Sequence, residues 1–183
     1  MRGSRKAVGV LCALFATLSL ARTGNATSLE AMSLEQVTAS AEIAFSGTVE
    51  SSTAAWNGTI IVTESVVRVD ECLVGVCSEV ETVRQIGGQV GDIVQQVAGA
   101  EQLEPGDHVL LFLHPNDTLG GPSPVGLCQG VFYVDEGVVW RELSQIELVP
   151  TTAPLAVIYD TFPTTYDVFA ERVRELAAEL PSP

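Results

Sequence analysis

The groups in this chain that could do chemistry are two histidines, four cysteines and 23 carboxylates. His108 and His114 alone carry side chains that exchange protons near neutral pH, which makes them the candidates for acid–base work or imidazole metal ligation. They close the two ends of one apolar run, His108-Val109-Leu110-Leu111-Phe112-Leu113-His114. In an extended strand they share a face but stand about 20 Å apart at ~3.3 Å per residue. No single metal spans that distance, so at most one of them could join a site completed by distant acids. Histidines that simply finish a strand are the plainer reading. Cys128 could be a nucleophile with one of these histidines and an acid such as Asp107 or Asp117. Read as part of a strand, it shares a face with Phe132 and Val134, while Leu127, Val131 and Tyr133 point oppositely. A thiol buried as a small hydrophobe follows from that placement.

Other chemistries find less support. Gly121-Pro122-Ser123-Pro124-Val125 is not a Gly-x-Ser-x-Gly nucleophile elbow. Asp70-Glu71 and Asp135-Glu136 are adjacent residues at strand ends, so each pair projects to opposite faces and makes no general acid/base couple. Gly87, Gly88 and Gly91 fit neither phosphate-binding glycine motif, and no Lys follows them. No Asp-x-Asp calcium loop occurs. The expectation is therefore no catalytic residue, no metal site and no cofactor.

Cys72 and Cys77 enclose Leu73-Val74-Gly75-Val76, and Gly75 lets the chain turn. In an oxidising compartment a local bridge between them is the default. Cys72–Cys128 and Cys77–Cys128 are the alternative pairings.

That compartment is read from the start of the chain. Arg2, Arg5 and Lys6 precede the apolar run Ala7 to Leu20, and small residues follow at cleavage spacing near Ala21 or Ala26. The run is too short for the ~20 residues of a membrane helix, so residues 1–26 read as a removable signal and the mature protein as secreted or periplasmic, without a membrane span. Cys12 sits mid-run and is not a lipid-attachment cysteine. The full chain has a formal charge of −14. Cleavage after Ala26 leaves five Arg, no Lys and 23 acids, a charge of −18. Such a surface repels nucleic acid and anionic lipid; it suits solubility, which is the plainer reading, or else calcium-rich or saline surroundings with divalent cations, or a basic partner. Low Lys with abundant Val, Ala and Gly points to a GC-rich bacterial genome.

The elements that must position these groups are mostly strands. Ser33 to Ala41 reads as a short helix capped by Ser33. Glu42 to Glu50 and Thr59 to Asp70 are strand-like, with Asn57-Gly58 as the hairpin signal between them. Glu79 to Ile86 is a further strand that runs into Gly87-Gly88, a tight turn or bulge. An apolar stretch follows at Val90 to Val97. Glu104-Pro105-Gly106-Asp107 is a turn, and His108 to Leu113 is apolar on both faces, as in a central strand. Asn116 to Pro124 reads as a loop. Val125 to Val134 and Val138 to Leu143 pair about Asp135-Glu136-Gly137. Thr151 to Pro163 is irregular, and Phe169, Val173, Leu176 and Leu180 form one apolar stripe on a C-terminal helix. The fold class is mainly β: a small, closed or nearly closed β-barrel of about five to seven strands over residues 27–150, with a short N-terminal helix. Residues 151–183 are a proline-containing linker and an amphipathic helix docked on it.

Ser40-Ala41-Glu42-Ile43-Ala44-Phe45-Ser46-Gly47-Thr48-Val49 resembles the opening strand of netrin-like modules, the OB-type barrels of tissue inhibitors of metalloproteinases. Val66-Val67-Arg68-Val69 leading to Cys72-Leu73-Val74-Gly75, then Leu103-Glu104-Pro105-Gly106-Asp107-His108-Val109-Leu110-Leu111-Phe112-Leu113, follow in the same order. The pattern is also similar to a group of uncharacterised secreted bacterial proteins. The resemblance implies a fold, an OB-like β-barrel, and a secreted context. The zinc-chelating Cys-x-Cys of those inhibitors has no counterpart at Thr27-Ser28-Leu29-Glu30, so their inhibitory chemistry does not carry over.

The leading expectation is a secreted acidic non-catalytic binding module for an unknown protein or small ligand. One alternative is a protease inhibitor or protease-associated domain, which should present Asn116 to Pro124 as a protruding loop. Another is an enzyme with a site around His108, His114 and Cys128, which should present a pocket lined by a His and a carboxylate.

Overall fold

The computed structural model describes residues 28–143, 146–149 and 163–180. The signal over residues 1–26 and nearly all of the irregular stretch from Thr151 to Pro163 lie outside these residues. In chain order the elements are β1 (Ser28–Glu30), α1 (Leu34–Ser40), β2 (Ile43–Asn57), β3 (Ile60–Val74), β4 (Val80–Ile86), β5 (Gly88–Val90) and β6 (Ile93–Gln95). They continue with β7 (His108–His114), β8 (Ser123–Pro124), a 3-10 turn (Leu127–Gly130), β9 (Val131–Asp135), β10 (Val138–Trp140), β11 (Glu147–Val149), β12 (Thr164–Thr165) and α2 (Tyr166–Glu179). The protein is mainly β, with a short helix near the start of the described chain and a longer one at its end.

The main sheet has eight strands in the order β12-β10-β9-β7-β2-β3-β4, with β8 also on β7. All its pairs are antiparallel. Within it, β2, β3 and β4 form a meander and β7 returns beside β2, which is a Greek key. The pairing is a path and not a closed ring. The nearest approach to closure is the Arg84 amide, which donates to Pro122 O at 2.7 Å and so ties β4 to the segment entering β8. β5 and β6 form a separate hairpin inside the long β4–β7 connection, and β1 pairs with β11 in parallel.

β7 explains the layering. Its alternate residues feed two different cores, as a strand apolar on both faces must. Leu110 and Phe112 join Val37, Phe132, Phe169 and Val173 beneath α2. Val109, Leu111 and Leu113 join Phe45, Val67, Val83 and Leu103 on the other side. The stripe predicted on the C-terminal helix is the buried one: Phe169, Val173 and Leu176 are at most 5% exposed. The Phe132 ring lies 5.6 Å from Phe112 and 5.0 Å from Phe169. The helix is also pinned by polar contacts. Tyr166 OH accepts from Ser46 Oγ at 2.7 Å and donates to Glu71 Oε2 at 2.7 Å, and Arg174 pairs with the other oxygen of Glu71. Asp70 turns the opposite way to Arg68 Nη1, at 2.6 Å, so the Asp70-Glu71 couple is split between faces.

Local chemistry accounts for the turns. Ser33 caps α1 by accepting from the Gln36 amide, and Gln36 Oε1 accepts from the Ser33 amide, a capping box. Asn57 pairs with Ile60 as the last strand residue, leaving Gly58 to supply the positive φ of 64°. Cys72 and Cys77 are disulfide-bonded. Gly75 between them has a φ of 73°, and a Cβ there would strike Glu42 O, so the bridge closes a turn that only glycine can make.

Two expected strands differ. Val138 to Leu143 ends as a strand at Trp140. Val125 to Val134 does not run as one strand: Gly126 and Leu127 take positive φ, and Leu127–Gly130 winds into the 3-10 turn, so only Val131 onward is sheet. Gly130 lies against Val125 and the Phe112 carbonyl with no room for a Cβ, which is why the chain coils tightly there. The apolar stretch from Val90 to Val97, to which the pattern assigns no element, holds the end of β5 and all of β6. It folds back on itself as the β5–β6 hairpin, reversing at Gly91, whose φ is 60°.

Candidate functional site

β7 carries its two histidines into different surroundings. His108 is exposed, with Nε2 3.5 Å from Asp70 Oδ2, beside the Arg68–Asp70 ion pair. His114 lies at the other end, with Nε2 3.4 Å from Ser123 Oγ, its cross-strand partner on β8. Ser123 Oγ also accepts from Asn116 Nδ2 at 3.0 Å. The structure does not bring the two histidines together.

His114 lines a small cavity of about 280 Å³ with Glu42, Asn116 and Asp117. A histidine and carboxylates around a cavity meet the coarse requirement for an enzyme. The finer requirement fails at Ser123. It is 4% exposed and does not reach the cavity wall, and among the described residues no carboxylate hydrogen-bonds the His114 ring to orient it. A hydroxyl becomes a nucleophile only when an oriented base takes its proton at a place substrate can reach.

The loop from Asn116 to Pro124 does not protrude. Asn116 O accepts from the Gly120 amide at 2.9 Å, and Asn116 Oδ1 from the Leu119 amide at 3.2 Å. Arg84 Nη1 donates to Leu119 O at 3.1 Å and Asn57 Nδ2 to Thr118 O at 3.2 Å, while Leu119 is buried. Together these bonds fold the loop onto β4 and the β2–β3 hairpin.

Cys128 is a free, buried thiol. The 3-10 turn breaks the alternation assumed for it, so it does not share a face with Phe132. Its amide donates to Gly99 O at 2.8 Å. Burial first, and the nearby Glu101 second, push the thiol up to about 11. At neutral pH it is protonated and a poor nucleophile.

A second concavity is one the sequence did not announce. It is an open groove of about 1340 Å³. The β2–β3 hairpin forms one side with Ser52, Ala54 and Thr63. The β5–β6 hairpin and segment 96–105 supply most of the rest, and Cys128 and Glu142 complete the lining. Gly88 makes this geometry possible. Its φ is 127°, and a Cβ would collide with Thr63 Oγ1 and Ala54 Cβ, so β5 lies directly on the hairpin. Gln95 Oε1 then accepts from the Ile61 amide at 2.9 Å, and Gln102 Nε2 donates to Ile86 O at 3.2 Å. Amide side chains thus hold the walls where the sheet ladder has ended.

Glu101 is the electrostatic anomaly of the groove. Burial first, then the charges of Glu142 and Asp107, raise its carboxyl from the ordinary 4.5 to about 7. Its Oε2 is fully shielded and has no hydrogen-bond partner among the described residues. Glu104 lies on the same wall, and none of the described residues lining the groove is Lys, Arg or His. Beyond it, Tyr133 and Trp140, directly paired across β9 and β10, stack at 4.8 Å with 23° between planes, and Trp140 is 40% exposed. Burial, followed by Glu101, Asp107, Glu104 and Glu142, raises the Tyr133 phenol, which places the aromatic pair and the acids in one neighbourhood. Sequence reasoning passed over this region because no residue from Val97 to Leu103 belongs to a recognisable motif. The clustered amides and small residues, Gln95-Gln96-Val97-Ala98-Gly99-Ala100, were the signal that an irregular wall follows β6.

Among known proteins, no family model matches this chain and no curated protein is similar to it beyond chance.

Proposed function

We propose that this protein is an exported, acidic, non-catalytic binding module of netrin-like, OB-type architecture, and that its ligand lies in the open groove. The Greek-key order of β7-β2-β3-β4 with β9 beside β7 supports the architectural part, since OB-folds are five-stranded, partly open Greek-key barrels. The observation that carries the functional part is the contrast between the two concavities. The groove is large and walled by amides and carboxylates, and its thiol is protonated; the His114 cavity is small and out of reach of its serine. A binding site needs shape and complementary charge, whereas a hydrolytic site needs an activated nucleophile. The folded-down loop from Asn116 to Pro124 gives a protease inhibitor no projecting segment to insert.

The test uses chromogenic peptide, ester, phosphate and glycoside substrates with the wild type, His114→Ala, Ser123→Ala and Cys128→Ala. The expected result is turnover no faster than buffer for every protein. Turnover by the wild type that is lost in one folded variant overturns the reading in favour of an enzyme.

A further inference from the structure

We propose that the groove is a docking site for an extended polypeptide segment bearing Arg or Lys, with the cationic side chain held between Glu101 and Glu104 beside the Tyr133–Trp140 pair. This rests on the binding-module reading and names its partner. Three observations select the occupant.

The first is size and lining. A groove of about 1340 Å³ exceeds the ~300–1,000 Å³ of small-molecule pockets and is open to solvent. Gln89, Gln95, Gln96 and Gln102 line it, and amides offer both donors and acceptors, as a peptide backbone requires.

The second is charge. Around Glu101 the electrostatic neighbours are Glu142 and Asp107, both of like sign. Four of the described arginines are engaged elsewhere: Arg68 with Glu50 and Asp70, Arg84 with Glu64, Arg172 with Glu35 and Glu175, Arg174 with Glu71 and Glu171. Arg141 lies over the Phe132 ring, 5.3 Å from its centre, and its charge reaches Cys128 at the groove, while the charges that act on Glu101 are both acidic. A half-buried carboxyl crowded by other acids is destabilised in the free protein, and a guest cation relieves that cost on binding. Like-charge crowding also rejects acidic segments.

The third is the aromatic pair. Leu103, which lines the groove, belongs to the core cluster that Tyr133 packs against, and the charges of Glu101 and Glu104 both act on the Tyr133 phenol. The exposed Trp140 ring, stacked on Tyr133, presents a π-face. Guanidinium and ammonium groups bind such faces, and carboxylates alongside reinforce the contact.

The experiment titrates the purified protein with a ten-residue peptide of alternating Arg and Ser, following Trp fluorescence and confirming by calorimetry. Parallel arms use the same peptide with Gln or Glu in place of Arg, and spermidine. The Arg peptide is expected to bind at least tenfold more tightly than the Gln peptide, and the Glu peptide not at all. Glu101→Gln with Glu104→Gln should weaken the Arg peptide tenfold or more and Trp140→Ala several-fold, whereas Glu79→Gln, remote beside the disulfide, should change it less than twofold. Equal affinity for the Arg and Gln peptides, or spermidine binding as tightly as the Arg peptide, overturns the proposal. So does a double variant that binds like Glu79→Gln. In the first case, loss of the Gln peptide on Trp140→Ala would leave the groove as a binding site and remove only its basic occupant. The binding-module reading itself falls by the separate turnover assay.

Discussion

Replacing Glu101 with glutamine should stabilise the protein at pH 8 and leave it almost unchanged at pH 4.5. The carboxyl is raised from 4.5 to about 7 by burial and by Glu142 and Asp107. An acid whose folded value is raised binds its proton more tightly when folded. It therefore costs nothing below the unfolded value, and its penalty grows as pH climbs through the folded one. The window is from about 4.5 to about 7. Unscreened, the full shift would cost roughly 3 kcal/mol at ~1.4 kcal/mol per pKa unit. Glu101 is only partly buried, so water screens the interaction and about 1–2 kcal/mol is the reasonable size. Glutamine keeps the shape and carries no charge, so it removes that penalty. The measurement is thermal and urea unfolding of both proteins across pH 4.5 to 8. The difference in Tm should grow from near zero to roughly 2–8 °C, at 2–4 °C per kcal/mol for a chain of this size. Taking the difference between the proteins cancels the pH dependence of every other group. A difference that is the same at all pH values, or a less stable variant at pH 8, would refute the electrostatic account of the groove.

Other outcomes follow from contacts elsewhere. Phe169→Ala should cost about 3–5 kcal/mol in urea unfolding, because the ring is buried against Phe132 where α2 docks. Tyr166→Phe should cost about 1–2 kcal/mol, since it removes the hydroxyl between Ser46 and Glu71 and leaves Glu71 with Arg174. Replacing both Cys72 and Cys77 with Ser should lose only about 2 kcal/mol, because the closed loop is short; non-reducing peptide mapping of the wild type should link these two residues and leave Cys128 free. Cys128 should resist alkylation at pH 8 until the protein is denatured, since its thiol is buried and pushed up to about 11.

Much of the framework follows from short-range pattern. The Ser33 cap, the apolar stripe of α2, the two-faced apolar run of β7 and the glycines of the β2–β3 and β9–β10 turns are each legible within a dozen residues. Helical and strand periods, caps and positive φ are local requirements of the backbone. The Cys72–Cys77 bridge belongs with them, because its partners are near in sequence and Gly75 permits the turn. What local pattern could not give is where separated pieces converge. The start of the stretch read as a strand, Val125 to Gly130, coils instead, because Gly130 must fit against Val125 and Phe112 O, a constraint set by β7 and invisible in the segment itself. β1 finds its partner in β11, more than a hundred residues away. Tyr166 meets Ser46 and Glu71 only once α2 lies on the sheet. The groove is the strongest case. Ser52 and Thr63 from one hairpin, Gly88 from another, Glu101 and Glu104 from an irregular segment and Cys128 from a 3-10 turn have nothing in common as a motif. Glu101 acquires its raised carboxyl only from the burial and the like charges that this convergence creates, so its singular behaviour is a property of the tertiary structure and of no stretch of sequence.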